Sequence, residues 1–143
     1  MEKQVSLAIK KIKELEFIIN AAKPVNETLN VAFGVTTEFD IEKNSFDMIL
    51  TYDLKDPSKD TALVHIKVAN GFFIEKMKSF IGDDGKTLNL PDSGLITMLS
   101  LSISHTRAIL AKNTSGTIFE NYYLPIVNPS EIAKQVFKKQ SAL

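Results

Sequence analysis

The sequence predicts an α+β protein: a four-stranded antiparallel sheet, as a meander or Greek key, with a long helix and a short C-terminal helix packed on one side. Two observations carry the sheet. From Leu29 to Ile41, the residues Leu29, Val31, Phe33, Val35, Thr37, Phe39 and Ile41 take one face and Asn30, Ala32, Thr36, Glu38 and Asp40 the other. A period of two held over that length is a half-buried strand. Phe46, Met48, Leu50, Tyr52 and Leu54 repeat the alternation after Lys43-Asn44-Ser45, so the two runs form an antiparallel hairpin. The third observation is the change beyond Pro91 to apolar residues spaced three and four apart, which predicts the long helix.

The remaining elements fill in around these. Val5-Ser6-Leu7-Ala8-Ile9 and Ile12-Lys13-Glu14-Leu15-Glu16-Phe17-Ile18-Ile19 alternate out of phase. The shift at Lys10-Lys11 predicts one long strand with a bulge; a helix over Val5–Leu15 is the competing assignment. After the hairpin, Asp56-Pro57-Ser58-Lys59-Asp60 makes a turn. A further strand puts Ala62, Val64, Ile66 and Val68 on one face and Leu63, His65 and Lys67 on the other, and Asn70-Gly71 is expected to break it. Gly82-Asp83-Asp84-Gly85 reads as a hinge-like loop. The long helix is expected to start at Pro91-Asp92 with Asp92 as N-cap. Ser100, Ser102 and Ser104 along it read as small residues that let another helix approach. Asn128-Pro129-Ser130-Glu131 opens the last helix, with Asn as cap and Pro at the first helical position. Its apolar stripe is Ile132, Ala133, Val136 and Phe137. Residues 1–143 read as one domain.

Composition excludes several function classes. Lys+Arg and Asp+Glu are 17 each, so no global basic field points to nucleic acid. Cysteine is absent and histidine limited to His65 and His105, which leaves no thiol nucleophile and little material for a metal site. The N-terminus has no signal-like apolar stretch, and the uncharged run through the long helix is rich enough in Ser and Thr to argue against membrane insertion. A cytoplasmic protein is expected. Gly82-Asp83-Asp84-Gly85 lacks the spaced ligands of a calcium loop. No phosphate loop or nucleophile elbow appears. No enzyme, and no cofactor, is expected.

The connector between the helices is the odd segment. Ile118-Phe119-Glu120-Asn121-Tyr122-Tyr123-Leu124-Pro125-Ile126-Val127 is aromatic and apolar, whereas connecting loops are ordinarily polar and run over the surface. Such a segment either packs on something or waits for something. Tyr122 and Tyr123 cannot both face inward on an extended chain.

Four places resemble the SecB family of export chaperones. Lys13-Glu14-Leu15-Glu16-Phe17 is similar to that family's first-strand Lys-Asp-x-Ser-Phe, and Asn70-Gly71-Phe72-Phe73 to its Gly-Gly-x-Phe. His105-Thr106-Arg107-Ala108 stands where members carry Tyr-Ala-Arg in the long helix. Gly116-Thr117 followed by Leu124-Pro125-Ile126-Val127-Asn128 resembles Gly-Thr-Phe…Leu-x-Pro-Val-Asn. The order spans nearly the whole chain. The helix motif is reduced to the arginine and its neighbours, and the tail after Phe137 is short and basic.

The resemblance implies an ATP-independent holdase and a homotetramer, a dimer of dimers, with first strands paired edge to edge and long helices packed between sheets. Leu15, Phe17, Ser102 and Arg107 would lie at its interfaces. Its partners would be unfolded or precursor polypeptides, with the SecA motor or an antitoxin as further candidates. His65 and Lys67 stand where SecA-linked members present carboxylates, so an acidic docking surface is not evident. A holdase needs accessible apolar surface, and Phe72, Phe73, Tyr122, Tyr123, Leu124 and Ile126 are the candidates for polypeptide binding. Two other readings use the same fold: a module that closes over a small apolar ligand, and a structural oligomer whose aromatics are all buried.

Overall fold

A computed structural model describes residues 5–20, 29–58, 61–120 and 128–141, with side chains of the last segment to residue 135. The strands are β1 (Leu7–Ile19), β2 (Asn30–Asp40), β3 (Ser45–Lys55) and β4 (Ala62–Ile74), and the helices are α1 (Asp92–Thr114) and α2 (Pro129–Ser141). All neighbours in the sheet are antiparallel, in the order β1-β4-β3-β2. The chain therefore builds a β2-β3-β4 meander and lays β1 beside β4, which leaves β1 and β2 as the two edges.

The period-two pattern decides what is buried. Phe46, Met48, Leu50, Tyr52 and Leu54 on β3 and Val64, Ile66, Val68, Phe72 and Ile74 on β4 form one buried face, against which α1 sets Met98, Leu99, Ile103 and Leu110. Ser102, Thr106 and Thr114, on the same buried stripe, return their hydroxyls to Met98, Ser102 and Leu110 carbonyls at 2.7–2.8 Å. A back-bonded hydroxyl needs no other partner, so it can lie against an apolar sheet without a desolvation cost. By length and composition α1 would also pass as a bilayer-crossing helix, so its Ser and Thr content does not decide against insertion. What the structure shows is a helix whose buried stripe rests on a sheet.

β1 is a strand, and its register against β4 shifts between Ile9 and Lys11 and again between Glu14 and Glu16. The first shift is the bulge expected at Lys10; the second, at Leu15, is additional. β4 differs from expectation. It runs unbroken through Asn70-Gly71 because both residues are accommodated by their neighbours. The buried Asn70 amide donates to the Met48 and Val68 carbonyls at 3.3 and 3.5 Å, and its Oδ1 lies 2.9 Å from His105 Nδ1 on α1. Gly71 has no side chain because Lys11 and Asp47 cross over it: a Cβ there would stand 2.8 Å from Lys11 Cγ and 2.9 Å from Asp47 Oδ1.

Three other expectations are corrected. Pro91 is the N-cap of α1 and Asp92 its first residue, with no side-chain capping bond; Asp92 instead places a carboxylate on the positive end of the helix. Ser102 does not share a face with Ser100 and Ser104, since alternate residues on a helix point about 200° apart; Ser102 is buried and Ser104 exposed. Gly82–Gly85 is a bonded turn, with Asp84 accepting from the Lys86 and Thr87 amides at 2.9 and 2.8 Å and from the Thr87 hydroxyl. Those bonds, the hydroxyl's first, hold the Asp84 pKa down at about 2. α2 opens as expected: Asn128 Oδ1 accepts from Ser130 N at 2.9 Å, and Ala133 is buried within the core cluster.

The connector begins by contributing to the core. Phe119 is 1% exposed while Ile118 beside it is 57% exposed. Removing the Phe119 ring leaves a core cavity, so Phe119→Ala should cost about 3–5 kcal/mol. Ile118→Ala should stay within about 0.5 kcal/mol. Urea unfolding of the two variants checks this.

Candidate functional site

α1 packs over the middle of the sheet and leaves its flanks open. On β1, Ile9 and Ile12 point to the helix side, judged by their partners Phe72 and Asn70, yet are 50% and 45% exposed. On β2, Val31 and Phe39 also point that way and are each 43% exposed. Leu15 and Ile18 add further exposed aliphatic surface along β1. Both edge strands thus combine uncovered apolar side chains with a backbone edge that no other strand among the described residues pairs, the arrangement that accepts another strand.

Phe72 and Phe73 separate. Phe72 is buried in the core at 1% exposure, which leaves it no surface to offer, whereas Phe73 faces the other side of the sheet and is 40% exposed. Phe73 forms one wall of an open, apolar depression of about 630 Å³, with Ile41 of the β2–β3 turn and Lys76 and Ser79 beyond β4. Asn44 knits its floor. In the left-handed conformation (φ 52°) that Asn tolerates, it accepts from Ile74 N at 2.8 Å through its carbonyl and from Met77 N at 3.1 Å through its side chain. At the rim Lys78 and Glu42 approach to 3.9 Å, both largely exposed, so the pair contributes little.

The expected connector residues Tyr122, Tyr123, Leu124 and Ile126 lie outside the described residues. Of the expected interface residues, Ser102 is fully buried against the chain's own sheet, which leaves it no surface for a partner. Leu15 is 41% exposed, Phe17 packs partly against the core cluster, and Arg107 is half-buried on α1. His105, bonded to Asn70, has its pKa lowered by burial.

Charged groups on the helix-free face form cross-strand pairs that local sequence does not reveal. Lys11 Nζ on β1 reaches Asp47 Oδ2 on β3 at 3.8 Å, over Gly71. His65 on β4 lies between two carboxylates, its Nε2 2.7 Å from Glu16 on β1 and its Nδ1 2.6 Å from Asp53 on β3. Both contacts to ionised carboxylates need an N–H donor, which the ring supplies at both nitrogens only in its imidazolium form. The bonds to Glu16 and then Asp53 raise the His65 pKa, and the bond from His65 lowers that of Glu16. Partners so distant in sequence, 49 and 12 residues away, are visible only in the folded sheet. No group of His, Cys, Asp and Glu suited to a metal ion occurs among the described residues.

A four-stranded antiparallel sheet in the order β1-β4-β3-β2, with one long and one short helix, defines a SecB-like fold. Among solved structures, this fold is similar to the SecB-like chaperone Rv1957 of Mycobacterium tuberculosis, solved in complex with a ChAD peptide from the antitoxin HigA1 (Rv1956). The TM-score is 0.56 at 12% identity, covering 85% of this chain and 90% of that one. No protein-family model matches the sequence, and no curated protein matches it by sequence.

The two adjacent phenylalanines give a direct check on this geometry. Phe72→Ala should cost about 3–5 kcal/mol, whereas Phe73→Ala, at the wall of an open depression, should change stability by under about 1 kcal/mol. Thermal unfolding of both variants measures the difference.

Proposed function

We propose that the protein is an ATP-independent cytoplasmic chaperone that holds unfolded or incompletely folded polypeptide segments. The observation that carries this reading is the uncovered apolar surface on both flanks of the sheet, Ile9 and Ile12 on one edge and Val31 and Phe39 on the other, with Phe73 at a depression open to solvent. A segment that has yet to fold offers aliphatic side chains and unpaired backbone together, and an edge strand flanked by such residues answers both. Of the possible partners, a peptide segment of the kind the M. tuberculosis neighbour holds is favoured over delivery to SecA. Two carboxylates on the helix-free face, Asp47 and Asp53, are already engaged by Lys11 and His65, so that face is electrically mixed. The small-ligand reading finds less support, since the space between sheet and α1 is filled by Met98, Leu99, Ile103 and Leu110.

Assembly through β1 belongs to the same proposal, with a homotetramer as its outcome. A second copy can pair antiparallel about Lys13 so that, the bulge residues Lys10 and Leu15 and their partners aside, each residue pair lies on a common face. That register sets Leu7 against Ile19, Ile9 against Phe17 and Lys10 against Glu16. Lys13 meets its own copy at the axis, where long side chains diverge into water.

Two experiments test these readings. Aggregation of a denatured client should be suppressed without nucleotide by the native protein, and Phe39→Ser with Phe73→Ser should raise the concentration needed several-fold while leaving the fold intact; equal protection by the variant would contradict the site. Lys10→Glu puts like charges opposite one another twice across the two-fold, each change worth about 0.2–1 kcal/mol. It should weaken association by about two- to thirtyfold by sedimentation, and Lys43→Glu on the β2–β3 turn should not.

A further inference from the structure

His65 is the one ring among the described residues with both nitrogens bound by carboxylates, and the carboxylates come from the strands on either side of its own. Among the described strands the backbone of β1 pairs only with β4, the Lys11–Asp47 bridge being its other side-chain tie to β3, and Glu16 sits at the second bulge, where the ladder is interrupted. A side-chain tie from β1 to β3 at that point fastens the edge strand where its backbone pairing is weakest. We propose that His65 is a proton-operated latch for this edge: carrying both ring protons it ties β1 to β3 across β4, and on releasing the Nε2 proton to solvent it keeps Asp53 and lets Glu16 go.

The choice of which bond is lost follows from the surroundings. A neutral imidazole has one N–H. Asp53 is a short side chain on an inner strand, 24% exposed, and Glu16 a longer one on the edge, 52% exposed. Glu16 can rotate into water, whereas Asp53 facing a ring lone pair would be left without its donor. Lys67 of β4, opposite Glu16 in register, and Lys13 of β1 lie on the same face, and Lys67, which already acts on the Glu16 carboxylate, can pair with it once freed. β2 sets the uncharged Ala32 beside Asp53.

The sign of the pH dependence is fixed. The His65 pKa is raised above its ordinary 6.5, so its contribution to stability is complete below 6.5 and is lost as pH rises through the folded value. The Glu16 pKa is lowered from 4.5, so its contribution is present above 4.5 and is lost as pH falls through the folded value. The latch is closed between those two folded values. A consequence for assembly rests on the proposed edge pairing: a freed Glu16 is available to Lys10 of a second copy, so association would tighten as the latch opens.

The test is a ¹⁵N NMR titration of the His65 ring in the whole protein, with the Glu16 side-chain carboxyl followed by ¹³C. Expected are a midpoint above 6.5, a neutral form protonated at Nδ1, and a Glu16 carboxyl that shifts at the same midpoint. Glu16→Gln should lower the midpoint, and Asp53→Ala should reverse the tautomer to Nε2–H. His65→Gln should remove the loss of urea stability that the native chain shows above that midpoint. A midpoint at or below 6.5, a neutral Nε2–H tautomer in the native chain, or a Glu16 carboxyl indifferent to His65 would overturn the latch. Sedimentation at pH values on either side of the midpoint separates the two proposals: with the NMR result as expected, an unchanged mass would count against edge pairing and leave the latch standing.

Discussion

One helix cannot cover four strands, and most of this molecule follows from that mismatch. A helix with its side chains is about 10–12 Å across, while four strands at about 4.8 Å spacing make a surface roughly 15–19 Å wide. α1 therefore seals the two inner strands and covers the outer two only in part, reaching β1 where Asn113 donates to Glu14. The inward-facing residues of β3 are buried without exception from Phe46 to Leu54, while those of β2, carrying the same alternation, are half-buried or exposed. The same shortfall leaves Ile9 and Ile12 open on β1. Apolar surface of this kind, on both edges of a sheet, is a liability unless something occupies it.

β4 answers the resulting stress on the sheet from within. It is an inner strand that carries a buried amide, a glycine and a histidine, none of which suits a strand by propensity. Each serves a neighbour. Asn70 ties the sheet to α1 through His105, Gly71 makes room for the Lys11–Asp47 bridge, and His65 joins Glu16 to Asp53. Two of these three devices run from β1 to β3, so the edge strand is held by side chains as well as by its ladder.

How much of this was legible depends on how local the cause is. Strand alternation is local, and the β2–β3 hairpin and the buried face of β3 read directly from Val31 to Leu54. The bulge at Lys10 was legible because it throws Ile9 and Ile12 out of phase. The bulge at Leu15 was not, because Leu15, Phe17 and Ile19 keep an apparent period of two across it. Asn70-Gly71 carries a turn signal, but the partners that overrule it sit on β1, β3 and α1, far away in sequence. Phe72 and Phe73 could not be told apart without knowing which face α1 covers. The Glu16–His65–Asp53 group had no sequence signal, since its three members come from three strands.

On the proposed reading, a polypeptide binds at the flanks that α1 leaves open. The measurement that tests it is an NMR titration of the protein with an unfolded polypeptide, reading Ile, Val, Leu, Met and Phe side-chain resonances. The claim predicts that Ile9, Val31, Phe39 and Phe73 shift or broaden at low ratios, while the buried Met48, Leu50 and Ile66 do not. Perturbations confined to the exposed face of α1, or none at any ratio while the protein stays folded, would contradict it.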